Sequence, residues 1–191
     1  MKYENKRFTQ AERELLKKTK GSKLISIEAV LAAPPDAAWN TVRLHFESFD
    51  IDLTNSLSEV VIDEFETREE FGLLSLRTAK SEMLRIPEVG ADTTIFHINE
   101  FIRSVSVINN VIKIFGNDLL ITKLDYPQAV AFTTDSGTIV LDKEQWFSEM
   151  IVIKRGLNAS ELLYDESVNW DNNPSEDPST CYDFCVERDC L

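Results

Sequence analysis

The chain has 191 residues, with 33 acids against 20 bases, a formal charge of −13, and 43% hydrophobic residues. That composition excludes collagen, coiled coil and wholesale disorder, and a globular chain of this length buries roughly 70% of its unfolded surface, enough for one core. A pI near 4.6 argues against direct nucleic-acid or anionic-membrane binding, which needs a basic footprint, and no run approaches the roughly 18 apolar residues of a membrane span.

Charge divides the chain into three parts. Residues 1–23 carry eight bases and three acids, residues 24–155 carry 11 bases and 21 acids, and residues 156–191 carry Arg188 against nine acids. The corresponding organisation is a basic N-terminal helix over 1–22, a mostly antiparallel β body over 23–157 and an acidic tail over 158–191, all in one globular domain. The fold class is mainly β (α+β): a β-meander, sandwich-like or a fused sheet, with an N-terminal helix and a short C-terminal helix.

In the arm, Thr9 followed by Glu12 is a capping box, which satisfies two otherwise orphaned amides at a helix start. Gly21 supplies the left-handed stop, and Leu15, Leu16 and Phe8 are the anchors. From Leu24 the apolar period changes to two. Leu24–Val30 reads as a strand ended by Pro34-Pro35, because proline cannot continue a ladder. Val42, Leu44 and Phe46 alternate with polar residues, as do Ile51 and Leu53. A two-residue loop at Ser48-Phe49 would pair Phe46 with Ile51 and Leu44 with Leu53, setting His45 opposite Asp52. Ser58–Ile62 reads as a further strand.

The stretch 67–86 fits two descriptions. Thr67 with Glu70 resembles a second capping box and Phe71, Leu74 and Thr78 are near helical spacing, yet Gly72 and the alternation at Leu74, Leu76 and Thr78 suit a strand; the first part leans to helix. Thr93–Glu100 is similarly open. Beyond Arg103 the pattern is a meander, with turns expected at Asn109-Asn110, at Gly116-Asn117-Asp118 and at Asp135-Ser136-Gly137, and a break at Tyr126-Pro127-Gln128. A four-residue loop at Thr134–Gly137 pairs Phe132 with Ile139 and Val130 with Leu141. The two hairpins, each followed by Ser-Glu and an apolar strand, suggest a repeat of similar β-units over 24–66 and 119–154.

Several constellations carry chemistry in principle. His45 beside a carboxylate suits a general base or a metal ligand, and Phe49-Asp50-Ile51-Asp52 resembles the apolar-Asp-X-Asp element of some glycosyltransferases. No phosphate-cradling glycine loop accompanies it, and alternation alone accounts for both aspartates. His97 lies among apolar neighbours, the pattern of a packed or ladder residue. Cys181, Cys185 and Cys190 lack the paired spacing of a zinc site; Cys181, Phe184 and Cys185 have the i, i+3, i+4 spacing of a short docking helix. Unpaired cysteines and the absence of an apolar signal-peptide centre in Met1–Lys23 point to a reducing cytoplasm. No nucleophile elbow, P-loop or dinucleotide fingerprint is present.

No catalytic, cofactor-binding or metal-ligating residue is therefore assigned, no cofactor is expected, and the balance is towards a protein that is not an enzyme. The densest charge feature is Asp63, Glu64, Glu66, Glu69 and Glu70, and the tail adds Trp170 with Asp171, an aromatic anchor with an acidic rim. These residues are the interaction candidates. They suggest an acidic protein that binds, and blocks, a basic protein surface, the composition shared by immunity proteins of bacterial nuclease toxins and by phage inhibitors that mimic DNA. Two alternatives are an assembly subunit, whose basic arm and acidic tail join copies into a homo-oligomer, and a metal-assisted enzyme using Asp50, Asp52 and His45.

Overall fold

The computed structural model describes residues 2–32, 36–61, 68–80, 84, 93–143, 148–163 and 180–191. Its first element is one that the polar sequence does not announce: β1 (Lys2–Asn5), laid parallel against residues 122–125. Helix α1 (Gln10–Thr19) follows, with the capping box formed in both directions. The Thr9 amide donates to Glu12 Oε2 at 2.8 Å and the Glu12 amide donates to Thr9 Oγ1 at 3.3 Å. Leu16 and Phe8 are buried in the core, the lysines of the last turn are exposed, and Gly21 takes φ +80°.

Four antiparallel strands come next: β2 (Lys23–Leu31), β3 (Ala37–Phe46), β4 (Asp50–Val61) and β5 (Arg68–Thr78). The helical leaning of the 67–86 stretch is corrected here. Residues 68–78 pair with β4 at eleven consecutive positions, Val61↔Arg68 through Ile51↔Thr78. Alternation outweighs helical spacing because β5 buries both faces: Leu74 and Leu76 enter the main core while Phe71 enters a second cluster. Residue 67 and the proposed cap lie outside the described residues. Strand β4 also runs unbroken through 58–61, where a separate strand was expected.

The loop of the first hairpin lies one residue earlier than expected, which shifts every cross-strand partner by two. Leu44 faces Ile51 and Val42 faces Leu53, with Glu47 and Ser48 as the loop. The Phe46 amide donates to the Phe49 carbonyl at 3.0 Å and the two rings stack at 4.8 Å, so an aromatic pair closes the turn. A shift of two keeps every apolar residue on the core face, and for that reason alternation alone cannot detect it.

Strand β6 (Thr93–Phe101) pairs with β2, and the meander follows as β7 (Ser104–Gly116), β8 (Leu119–Thr133), β9 (Thr138–Lys143) and β10 (Met150–Gly156). Asn117 and Asp118 both take positive φ (50° and 62°), the geometry of a tight two-residue hairpin. The Thr134–Gly137 loop gives the expected pairs Phe132↔Ile139 and Val130↔Leu141. Two expected interruptions are a single bulge inside continuous strands. Asn109 faces Pro127, Asn110 faces Tyr126, and Gln128 is the extra residue. A bulge accommodates the proline, which has no amide to donate. Asn110 Nδ2 reaches Tyr126 Oη and Gln128 Oε1, each at 3.4 Å, and Gln128 Nε2 donates to the Lys143 carbonyl at 2.8 Å, so these buried polar groups hold the bulge.

After a single turn of helix, α2 (Ala159–Leu162), the chain ends in β11 (Thr180–Cys190), which pairs antiparallel with β7 at eleven positions. The cysteine segment is thus a strand, not a docking helix, and Cys185 and Cys190 are exposed free thiols. The backbone ladder along β7 decides the outcome over side-chain spacing.

Among the described residues the strands form one open sheet, β11-β7-β8-β9-β10-β3-β2-β6, with β4 and β5 branching from β3 and β1 from β8. The branch at β3 depends on a compact junction. Residues 37–39 pair with β10 and residues 41–45 with β4; between them Asn40 turns the chain at φ 54°. The fully buried Asn55 donates from Nδ2 to the Ser148 carbonyl at 2.8 Å and the Met150 carbonyl at 3.0 Å. A side-chain amide thereby replaces ladder bonds where β4 and β10 diverge. Gly72 lies against the same carbonyl: a methyl there would collide with Ser148 O and lie 2.8 Å from Asn55 Oδ1. Gly72→Ala is expected to cost about 3 kcal/mol through overpacking, whereas Gly21→Ala, with open space around it, costs only about 1 kcal/mol for its left-handed φ. Urea unfolding of the two variants checks this; equal losses would contradict the packing at the junction.

Candidate functional site

The core-facing residues of β2, β3 and β4 (Ile27, Val42, Leu44, Ile51 and Leu53) are fully buried. Alternation then turns Ser26, Glu28, Thr41, Arg43, His45, Asp50, Asp52 and Thr54 to the other face, where the candidate residues stand. Register aligns them in two rows across the strands. One row runs Ile95, Glu28, Arg43, Asp52, Arg77 over β6, β2, β3, β4 and β5; the next runs His97, Ser26, His45, Asp50 over the first four of these.

The expected partnership of His45 with Asp52 is replaced, because the two-residue shift gives each a different neighbour. Asp52 is fully buried and receives both arms of Arg43, Nε at 2.7 Å and Nη2 at 3.2 Å, with Arg77 Nε at 3.5 Å from its second oxygen. The hydrogen bond to Asp52 holds the Arg43 guanidinium above its ordinary range, against the opposing effect of burial. Such a bidentate pair is rigid and directional, and it leaves no free Asp52 oxygen pair for a substrate or an ion. His45 stands instead between two carboxylates, Nε2 at 3.0 Å from Glu28 and Nδ1 at 3.2 Å from Asp50. His97 is exposed on β6, a ladder residue in register with Ser26. Sequence reasoning missed Glu28, Arg43 and Arg77. Their signal was present in the outward parity of strands whose inward residues are apolar, but cross-strand neighbours cannot be read without the register.

Of the interaction candidates, Asp63, Glu64, Glu66, Trp170 and Asp171 lie outside the described residues. Glu69 belongs to β5 opposite Val60, and Glu70 is exposed directly opposite exposed Glu59. The basic arm meets the acidic tail inside the same chain. Arg7 pairs with Glu187 and with Asp125, Arg13 pairs with Asp189 at 2.8 Å, and Lys113 reaches Asp183 at 2.8 Å. Two bases of the arm, Arg7 and Arg13, are thus engaged with tail acids of the same molecule.

A shallow depression of about 260 Å³ is lined by Thr134, Ser136, Thr138, Arg155 and Leu157. Its polar groups are turned on one another: Ser136 Oγ donates to Glu100 at 2.7 Å and Arg155 reaches the same carboxylate at 3.3 Å. Hydrogen bonds from Thr134 and then Ser136 hold the Glu100 carboxyl below the usual carboxylate range. No helix among the described residues is long and apolar enough to cross a membrane.

Comparison of the chain with protein-family models, with curated proteins and with solved structures gave no match. The reading of function therefore stands on the residues themselves. For the buried pair, Asp52→Ala strands the Arg43 charge and is expected to cost about 3–5 kcal/mol in urea unfolding. The double change Arg43→Met with Asp52→Leu removes both charges and recovers most of that loss. Equal losses in the two variants would show that the pair is not what holds this face.

Proposed function

We propose that the protein is a non-catalytic interaction module that presents carboxylates to a basic protein surface, as an inhibitor of immunity-protein or phage-inhibitor type would. The observation that carries this reading is the register pair Glu59 and Glu70 at the end of the β4–β5 ladder, next to the acidic run. Two exposed carboxylates side by side on a rigid ladder offer a basic partner a paired acidic contact for its lysines or arginines. The distribution of bases supports the same reading. Arg7, Arg13, Arg43, Arg103, Lys113 and Arg155 are each ion-paired with an acid of this chain, so these bases add no free positive charge against the net −13. Complementary potential of this kind accelerates encounter and rejects acidic competitors.

The test is capture of a basic partner at two salt concentrations with two versions of the protein. The expected result is one basic partner retained by the native chain at about 0.1 M salt and released at about 1 M, where the screening length falls from about 10 Å to 3 Å. Retention is expected to fall sharply for Glu59→Gln with Glu70→Gln. Capture indifferent to both salt and substitution, or no specific partner at low salt, would overturn the reading.

A further inference from the structure

Strand β11 ends the sheet, and β7 is its only neighbour among the described residues. One hydrogen bond fixes its parity. The Leu191 amide donates to the Val105 carbonyl at 2.9 Å, one step beyond the Cys190↔Ser106 pair, and the register with β7 runs without a shift from Thr180 to Cys190. In an antiparallel pair, residues that exchange hydrogen bonds with the neighbour alternate with residues that do not. The odd-numbered residues of β11 therefore bond to β7, and the amides and carbonyls of the even-numbered ones point away from it. Such a row is a template for another strand. Val186 belongs to it and is 62% exposed, two residues from Phe184, which packs on the second apolar cluster.

We infer that β11 pairs antiparallel with β11 of a second copy about a two-fold axis at Cys185, so that the sheet continues through a homodimer. The strand spans Thr180–Cys190, and a copy that overlaps it in full is centred on Cys185. That register sets outward-pointing residues opposite outward-pointing ones, as an isologous interface requires. Phe184 of each copy faces Val186 of the other, which extends the second cluster over the exposed valine. On the opposite face of the strand Asp183 meets Glu187 of the second copy. Each of these acids already has a base of its own chain, Lys113 at 2.8 Å from Asp183 and Arg7 on Glu187. Across the two copies the row reads base, acid, acid, base, and its charge sums to zero. The interface involves neither Glu59 nor Glu70 and is independent of a basic partner. Its central residue, Cys185, is exposed. In a non-hydrogen-bonded pair the two Cys185 Cα atoms stand roughly 4.5 Å apart, inside the range of about 4.4–6.8 Å that a disulfide spans. The two Cys190 residues fall at opposite ends, roughly 33 Å apart at about 3.3 Å per residue.

The test is light scattering of the reduced full chain over a dilution series, beside Val186→Pro. Proline at 186 removes an outward amide and no bond of the β7 ladder, a placement that edge strands tolerate. Twice the chain mass of 21.8 kDa is expected for the native protein. Val186→Pro is expected at the single-chain mass with an unchanged circular dichroism spectrum. A second measurement leaves the backbone unaltered. Chains retaining only Cys185 or only Cys190 are exposed to oxidised glutathione. It accepts two electrons and two protons as two thiols join, and is released as two molecules of glutathione. The Cys185 chain is expected to form a covalent dimer and the Cys190 chain none. A native chain that stays single at every concentration overturns the pairing and leaves this edge to a strand of another protein. A dimer untouched by Val186→Pro overturns it too, as does cross-linking through Cys185 no more efficient than through Cys190.

Discussion

The side-chain amide of Asn55 joins two parts of the sheet that backbone pairing alone would leave apart. Strand β3 serves β10 with its first residues and β4 with its last, and the two neighbours must separate where the service changes. At that point side-chain donors can serve the half-buried carbonyls of β10 and of the residues just before it, and each such hydrogen bond contributes about 0.5–1.5 kcal/mol. Asn55 donates to two of them, Ser148 and Met150. Asn40 turns at positive φ, its amide donates to the Glu149 carbonyl at 3.1 Å, and its side chain reaches the Asn55 carbonyl at 3.0 Å. Gly72 leaves room for the approach. The meander and the β2–β6 unit thereby bury one shared core, in which Leu24, Leu44 and Leu53 pack in the same cluster as Phe132 and Leu141.

The chemistry of the outer face follows from that arrangement. Once the apolar alternation of β2, β3 and β4 is committed to the shared core, the opposite parity has to place Glu28, Arg43, His45, Asp50 and Asp52 side by side. Their pairing is then a matter of register. Acid and base alternate along the Glu28–Arg43–Asp52–Arg77 row, which keeps buried charge neutralised, while the neighbouring row gathers histidine with carboxylate. At the other end of the sheet β11 brings Asp183, Glu187 and Asp189 against Lys113, Arg7 and Arg13, so the opposed charges of the two chain ends close the molecule on itself. Helix α1 adds to this closure, since Glu12 of its capping box also accepts the amide of Leu76 on β5 at 2.8 Å.

What the sequence makes legible here is parity and local chemistry. The capping box of α1, the Asn117-Asp118 turn and the Thr134–Gly137 hairpin each depend on residues within a few positions of one another, and each is found as expected. What it conceals is long-range pairing. The two-residue shift at Glu47-Ser48 conserves every apolar position, so the registers are distinguished by the Phe46–Phe49 closure and the polar pairs, not by the apolar pattern. Pro127 looks like a terminator until Asn109, Asn110 and Gln128 are seen to build a bulge around it. The Cys181–Cys190 segment has helical apolar spacing, but the free edge of β7 offers eleven residues of ladder. The proposed repeat aligned Ser58-Glu59 with Ser148-Glu149, yet the first pair lies within β4 and the second precedes β10. At the candidate site the outward residues are foreseeable one strand at a time, and their partners are not.

Replacing Asn55 by leucine, of similar volume but without an amide, tests the joining of the two parts most directly. Amide exchange under native conditions reads β4–β5 and β8–β9 separately in one sample. The account predicts a loss of about 2 kcal/mol, as two half-buried carbonyls lose their donor, with β4–β5 opening at lower free energy than β8–β9, whereas in the native protein both are expected to open together. Unchanged stability, with both pairs of strands still exchanging through one common opening, would contradict the claim that this amide holds the sheet together.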